Sequence, residues 1–123
     1  MLDASAILAL LNDEPGADSV AEALPGAVAS AVNVSEAMAK LADAGMPEPA
    51  VAQALAILGL EIHPFEETQA LAAAMLRPKT RAQGLSFGDR ACLALGLRLA
   101  LPVITADRGW KTLKLGAKVE LIR

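Results

Sequence analysis

The sequence has few of the residues on which many catalytic and structural sites depend. It contains one cysteine, Cys92, and one histidine, His63, which excludes an intrachain disulfide and the usual zinc site built from Cys and His. This cysteine usage predicts a reducing, cytoplasmic environment. The sequence contains no GxxxxGK[ST] or GxGxxG loop and no GxSxG elbow, so P-loop, dinucleotide-binding and α/β-hydrolase folds lack their fingerprints.

Aromatic residues and long apolar runs are also scarce. With two Phe, one Trp and no Tyr, the chain offers little surface for base stacking, and recognition of a nucleic acid would depend on phosphate charge and shape. No apolar run reaches the roughly 20 residues of a membrane helix. The opening MLDASAILALL carries an acid and lacks a basic leader, which argues against a signal peptide. We therefore expect a soluble protein with no membrane association, and one domain over residues 1–123.

Charge is distributed very unevenly along the chain. Residues 1–70 hold eleven acids and one base, whereas residues 71–123 hold three acids and ten bases. Such asymmetry indicates an anionic partner for the basic half. The residues that could contact a phosphate backbone are Arg77, Lys79, Arg81, Arg90 and Arg108, although the cluster at 77–81 could also be a solvated loop.

Short apolar strands alternate with helices, which predicts an α/β fold: a three-layer α/β/α sandwich with a mainly parallel central sheet. Strands are expected at 1–3, 27–32, 60–63, 103–105 and 119–122. Helices are expected at 6–12 with Ser5 as cap, at 17–24, from an Asn33 cap to 44, at 48–58, at 66–76, from a Ser86 cap to 101, and at 110–115. The basic segment 77–84 is expected to be a loop.

Four acids, Asp3, Glu36, Asp89 and Asp107, follow strands or begin helices. In a parallel α/β sheet these positions share one edge, so the four carboxylates are expected to converge. Clustered carboxylates repel each other unless a cation neutralises them or some are protonated. Oxygen ligands suit Mg²⁺ or Mn²⁺, which activate water for phosphoryl displacement. The side chains placed to orient ligands or water are those of Ser5, Asn33 and Thr105.

Each acid also has a purely structural interpretation. Glu36 and Asp89 stand three residues after Asn33 and Ser86, which is the spacing of a capping box. Asp107 could cap the last helix. These alternatives stay open on the sequence pattern, because every helix of an α/β fold begins near a sheet edge.

Four segments together resemble a known family: LDASAILALLNDEPGAD (2–18), VNVSEAMAKL (32–41), LSFGDRACLALG (85–96) and VITADRGW (103–110). They are similar to PIN-domain ribonucleases, specifically the VapC-type toxins of bacterial toxin–antitoxin pairs. The resemblance implies that Asp3, Glu36, Asp89 and Asp107 form a metal-binding catalytic pocket, with Thr105 in the family's T-x-D segment and Ser5 at the expected spacing after the first acid. Only Met1 and Leu2 precede Asp3, fewer strand residues than family members usually have there.

The resemblance further implies Mg²⁺- or Mn²⁺-dependent cleavage of RNA, commonly tRNA or rRNA, by a homodimer with a cognate antitoxin that covers the pocket. Two alternatives come from other functional classes. One is a catalytically silent PIN-like interaction module. The other is a phosphoacceptor signalling domain, which needs a lysine after a late strand, and none occurs between Asp107 and Lys111.

Overall fold

Parallel strands form the centre of the molecule in the computed structural model, which describes residues 1–123. Strand β1 (Val28–Ser30) pairs with β2 (Glu61–His63), and β3 (Val103–Thr105) pairs with β4 (Val119–Leu121). The chain start joins the two pairs. The backbone N–H of Leu2 donates to the Val28 carbonyl (2.9 Å), and that of Asp3 donates to the Ile104 carbonyl (3.2 Å). Residues 1–3 therefore occupy the middle of the sheet, between β1 and β3, although they form only an isolated bridge to Ile104.

Helical segments follow residues 1–3 and the strands β1, β2 and β3, whereas β4 is the last element of the chain. The seven α-helices are α1 (Ala4–Leu11), α2 (Ala17–Ala23), α3 (Ala31–Asp43), α4 (Glu48–Ile57), α5 (Glu67–Met75), α6 (Arg77–Thr80) and α7 (Phe87–Leu99). Two 3₁₀ segments cover Arg81–Gln83 and Arg108–Thr112. None of these helices has the length and hydropathy needed to cross a membrane.

Two apolar clusters cover opposite faces of the sheet. Leu2 and Ala29 pack into one cluster with side chains of α1, α2, α3 and α4. Met1 and Val28, the strand neighbours of these two residues, pack together with Val103 into the other cluster, with side chains of α5 and α7. This alternation follows from the two-residue period of a strand. Because both faces are apolar, helices pack on each of them. The predicted three-layer α/β sandwich with a parallel sheet is confirmed.

The starts of α1 and α3 differ from the sequence-based expectation. Helix α1 begins at Ala4 with Asp3 as its cap, so the expected Ser5 cap is wrong. Helix α3 begins at Ala31 because Ser30 ends the short strand β1 and accepts a hydrogen bond from the Val32 N–H (3.2 Å). Asn33 consequently lies inside the helix and is not its cap.

Two further segments differ in conformation. The expected loop at 77–84 is largely helical, comprising α6 and the 3₁₀ segment Arg81–Gln83, and it ends at Gly84 with a left-handed φ of 63°. The expected helix at 110–115 is instead the 3₁₀ segment Arg108–Thr112, which Asp107 caps. Pro78 in the first turn of α6 is compatible with a helix start, where a missing N–H costs nothing.

Candidate active site

All four acids named from the sequence line one cavity of about 390 Å³ at the edge of the sheet where the strands end. Ser5 and Asn33 line it as well. The remaining lining residues are Ala4, Leu8, Ala39 and Lys40. The cavity therefore combines Asp3 with residues of α1, α3 and α7 and with Asp107, which follows β3.

Asp3 is the most deeply placed of the acids, with only 4% of its surface exposed. Its Oδ1 accepts hydrogen bonds from the Ala6 N–H (2.8 Å) and the Ser5 hydroxyl (2.7 Å), and its Oδ2 accepts one from the Thr105 hydroxyl (2.5 Å). Burial raises the pKa of Asp3, the three hydrogen bonds oppose that rise, and the charge of Asp89 adds to it. Three hydrogen bonds thus hold this carboxyl in place.

Thr105 connects Asp3 to Asp107. Its Oγ1 donates to Asp3 and accepts a hydrogen bond from the Asp107 N–H (3.0 Å). The Ser5 hydroxyl oxygen accepts from the Ala106 N–H (2.9 Å), which ties α1 to the same turn. Asp107 in turn accepts from the Gly109 N–H (2.9 Å), so it caps the 3₁₀ segment and also lines the cavity.

Asn33 and Glu36 lie on the cavity face of α3. Asn33, only 1% exposed, donates through Nδ2 to the Gly88 carbonyl (3.0 Å) and to Glu36 Oε2 (3.4 Å). Burial is the main cause of the raised pKa of Glu36; the Asn33 hydrogen bond opposes it, and the charges of Asp89 and Asp3 add to it. Glu36 therefore lies within the electrostatic field of the other acids, and it is not the acid of a capping box.

Asp89 forms the predicted capping box at the start of α7. Its Oδ2 accepts a hydrogen bond from the Ser86 N–H (3.0 Å), and its own N–H donates to the Ser86 hydroxyl oxygen (3.2 Å). The same carboxyl lines the cavity. The structural and the functional interpretation of Asp89 are therefore compatible with each other.

The donor set of the cavity fits a hard divalent cation. The lining offers carboxylate oxygens, and Asn33 among the lining residues carries a buried Oδ1 that has no hydrogen-bond partner. Carboxylate and amide oxygens are the ligands that Mg²⁺ and Mn²⁺ prefer. No three acidic, His or Cys side chains stand close enough to enclose an ion. Because uncompensated carboxylates repel each other, we expect them to stand apart in the metal-free protein and to draw together around a cation.

Basic residues lie in different places relative to the cavity. Lys40 is the one base that lines it. The sequence pattern did not single it out, although its i+4 spacing from Glu36 on a helix places both on one face. Arg90 is partly buried between α7 and α5, where its Nη1 donates to the Ala73 carbonyl (3.3 Å). Arg108 is exposed directly after Asp107, and its Nε donates to the Arg123 carbonyl (3.2 Å).

The remaining cluster of bases does not reach the cavity. Arg77 and Lys79 lie on α6, and Arg81 begins the 3₁₀ segment that follows. All three are exposed and none of them lines the cavity. Any contact they make with a polyanion would therefore be outside the acidic pocket.

A family model for the PIN domain matches residues 1–115. The chain belongs to the PIN-domain family. Three solved structures are similar to this PIN domain. VapBC2 from Rickettsia felis, bound to a DNA fragment from their promoter, has a TM-score of 0.77 at 18% identity, covering 98% of this chain and 96% of that one. A toxin–antitoxin complex from Klebsiella pneumoniae has a TM-score of 0.75 at 18% identity, with coverage of 99% and 96%.

The third similar structure is the most alike in sequence of the three. It is a member of the VapBC family of toxin–antitoxin systems, VapBC-5 from Mycobacterium tuberculosis, at 30% identity and a TM-score of 0.52, covering 76% of this chain and 79% of that one. Among curated proteins, no sequence matches significantly. The resemblance to VapC-type PIN domains inferred from the sequence is confirmed.

Proposed function

We propose that this PIN domain is a metal-dependent endoribonuclease and the toxin of a type II toxin–antitoxin pair. The observation that carries the proposal is the convergence of Asp3, Glu36, Asp89 and Asp107 on one cavity. Burial raises the pKa of both Asp3 and Glu36 there, and the charge of Asp89 adds to that rise. Several carboxylates that line one cavity, two of them with raised pKa values, are typical of a functional site. The similarity to VapBC structures supports the toxin role.

The cavity residues would divide the work of phosphodiester hydrolysis. Asp3, Asp89 and Asp107 would hold Mg²⁺ or Mn²⁺, which when bound lowers the pKa of water and neutralises charge on the phosphate. Glu36 would hold the ion or orient the attacking water. Because burial raises the pKa of Glu36 toward the working pH, its carboxylate is a better proton acceptor than an exposed glutamate.

Ser5 and Thr105 would act by holding Asp3 in position, since both hydroxyls donate to its carboxyl. Lys40, the one base of the cavity lining, would attract the phosphate of the substrate into an otherwise acidic pocket. The exposed bases Arg77, Lys79, Arg81 and Arg108 would contact the RNA backbone farther out.

The substrate and partners follow from the same family relationship. We propose RNA as the substrate, with tRNA or rRNA as its classes, and a cognate antitoxin that covers the acidic cavity. A homodimer is the expected assembly, and the cytoplasm the expected compartment. The scarcity of aromatic side chains predicts that RNA shape and charge dominate recognition.

The test is cleavage of total cellular RNA by the purified protein in Mg²⁺ or Mn²⁺, with mapping of the new RNA ends. We expect discrete cuts that EDTA and Asp89→Asn both abolish. Asp18→Asn is a matched control, because Asp18 is also an acid in the first turn of a helix but is exposed and lies outside the cavity. Intact RNA from protein that demonstrably binds metal would contradict the nuclease proposal and support a catalytically silent interaction module.

A further inference from the structure

Gly88, in the first turn of α7, occupies a position where no side chain fits. A Cβ atom at this residue would overlap the Glu36 carboxyl group, namely its Oε1, Oε2 and Cδ atoms. The backbone of Gly88 does not require glycine, since Gly88 is not among the residues with positive φ. Glycine also has a lower helix propensity than alanine. Glycine at this position therefore leaves room for the Glu36 carboxyl group.

The same residue is a contact point between α3 and α7. Its carbonyl accepts the hydrogen bond from Asn33 Nδ2 (3.0 Å), and Asn33 Nδ2 also donates to Glu36 Oε2 (3.4 Å). The next residue along the chain is Asp89. Gly88 thus brings the Glu36 carboxyl against the helical turn that carries the Asp89 carboxyl.

We propose that Gly88 is a positioning residue of the metal site: its missing side chain sets the place of the Glu36 carboxylate beside Asp89, so that both can act on one divalent cation. The inference rests on the proposed metal-dependent function and extends it to a residue that touches neither metal nor substrate. A methyl group at position 88 displaces the Glu36 carboxylate, because the end of a glutamate side chain moves more easily than either helix backbone.

A purely structural role for Gly88 predicts the opposite effect on stability. If the glycine served close packing of the helices, Gly88→Ala would destabilise the fold. If the glycine instead makes room for the Glu36 carboxylate, Gly88→Ala improves helix propensity. It also moves the Glu36 carboxylate away from the other acids of the cavity, which reduces charge repulsion. The unfolding temperature in EDTA then stays the same or rises, while the affinity for the cation falls.

The experiment measures Mn²⁺ affinity by isothermal titration and thermal unfolding in EDTA for the full chain. We expect Gly88→Ala to weaken Mn²⁺ binding roughly 10-fold or more, the scale seen when the support of a metal ligand is lost. Gly96→Ala is the matched control in the same helix. Its Cβ would lie 2.6 Å from Val103 Cγ2, away from the acids, so it should lower stability and leave the Mn²⁺ affinity of the folded protein unchanged.

A double-mutant cycle tests whether Gly88 acts through Glu36. In a Glu36→Ala background the overlap no longer exists, so adding Gly88→Ala should cause no further loss of Mn²⁺ affinity. An unchanged affinity in Gly88→Ala alone, or an equal further loss in the double variant, would overturn the proposal. If Gly88→Ala fails to fold, the double variant should fold, and its failure would overturn the proposal in favour of backbone packing.

A crystal structure of metal-free Gly88→Ala separates this inference from the proposed function. We expect the Glu36 carboxyl to have left its place over residue 88 while both helices keep theirs. A wild-type protein that binds no Mn²⁺ would refute the metal site, whereas a Glu36 carboxyl that stays in place would refute the positioning role of Gly88.

Discussion

The capping box of α7 allows the structural and the functional role of one carboxyl to be separated. Ser86 and Asp89 exchange two hydrogen bonds at the helix start (3.0 and 3.2 Å), but Asp89 alone of the two lines the acidic cavity. Ser86→Ala removes the cap acceptor and keeps the carboxyl. Asp89→Asn removes the negative charge and keeps an oxygen that can accept the Ser86 N–H. We predict that these two variants have opposite consequences.

The magnitudes follow from the contacts of each residue. Ser86 is exposed, so loss of its cap should cost about 1 kcal/mol in the free energy of unfolding, or roughly 3–5 °C in the unfolding temperature of a chain of this size. Asp89→Asn loses about 0.3–1 kcal/mol of interaction with the helix dipole. Relief of its repulsion with Asp3 and Glu36 offsets that loss, so the net change should stay within about 0.5 kcal/mol.

The assay combines urea unfolding in EDTA with Mn²⁺ titration of each variant. Ser86→Ala should lose stability and keep its Mn²⁺ affinity, whereas Asp89→Asn should keep stability and lose at least about tenfold in affinity. The reasoning is refuted if Asp89→Asn is destabilised as much as Ser86→Ala and still binds Mn²⁺ like the wild type. Asp89 would then be a capping acid only.

Three further predictions concern the cavity and the core. Because the folded pKa of Asp3 lies above its ordinary value of 3.8, the folded state binds that proton more tightly than the unfolded chain. The unfolding free energy of the metal-free protein should therefore fall as pH rises from about 3.8 through the raised pKa; urea unfolding across this range should show a smaller fall for Asp3→Asn, and an equal fall would contradict the assignment. Lys40 lowers the pKa of Glu36, so Lys40→Met should raise the Glu36 pKa measured by carboxyl NMR, and an unchanged value would place the ammonium away from the cavity. Trp110 is 1% exposed, so Trp110→Ala should cost about 3–5 kcal/mol in urea unfolding, and a loss below about 1 kcal/mol would mean that the indole is not packed in the core.

Local signals were reliable where a few neighbouring residues decide the structure. The box formed by Ser86 and Asp89 was predictable, because both partners lie within one helical turn. The same pattern at Asn33 and Glu36 predicted a helix start that is wrong. Strand β1 ends after three residues at Ser30, and Ser30 itself caps α3. The length of that strand depends on its pairing with β2, which lies about thirty residues farther along the chain. The residues around Ser30 alone therefore do not indicate where the strand ends.

The position of Lys40 in the cavity lining could also have been predicted from residue spacing. Lys40 follows Glu36 by one helical turn, so its place in the cavity lining could have been predicted once α3 was assigned. The space above Gly88 could not be predicted, because it depends on how closely α3 approaches α7. Only the packing of these two helices brings the Glu36 carboxyl over that glycine.

The sequence by itself determined the α/β class, the set of acids, and the places of Asp3, Asp89 and Asp107 at strand ends or helix starts, because periodicity and capping are local properties of the chain. Only the tertiary structure decided that Met1–Asp3 lies between β1 and β3, that Asp3, Glu36, Asp89 and Asp107 share one cavity, and that Arg90 binds a helix carbonyl. These features depend on strand order and helix packing between residues far apart in the chain, and such long-range contacts are set by the whole fold.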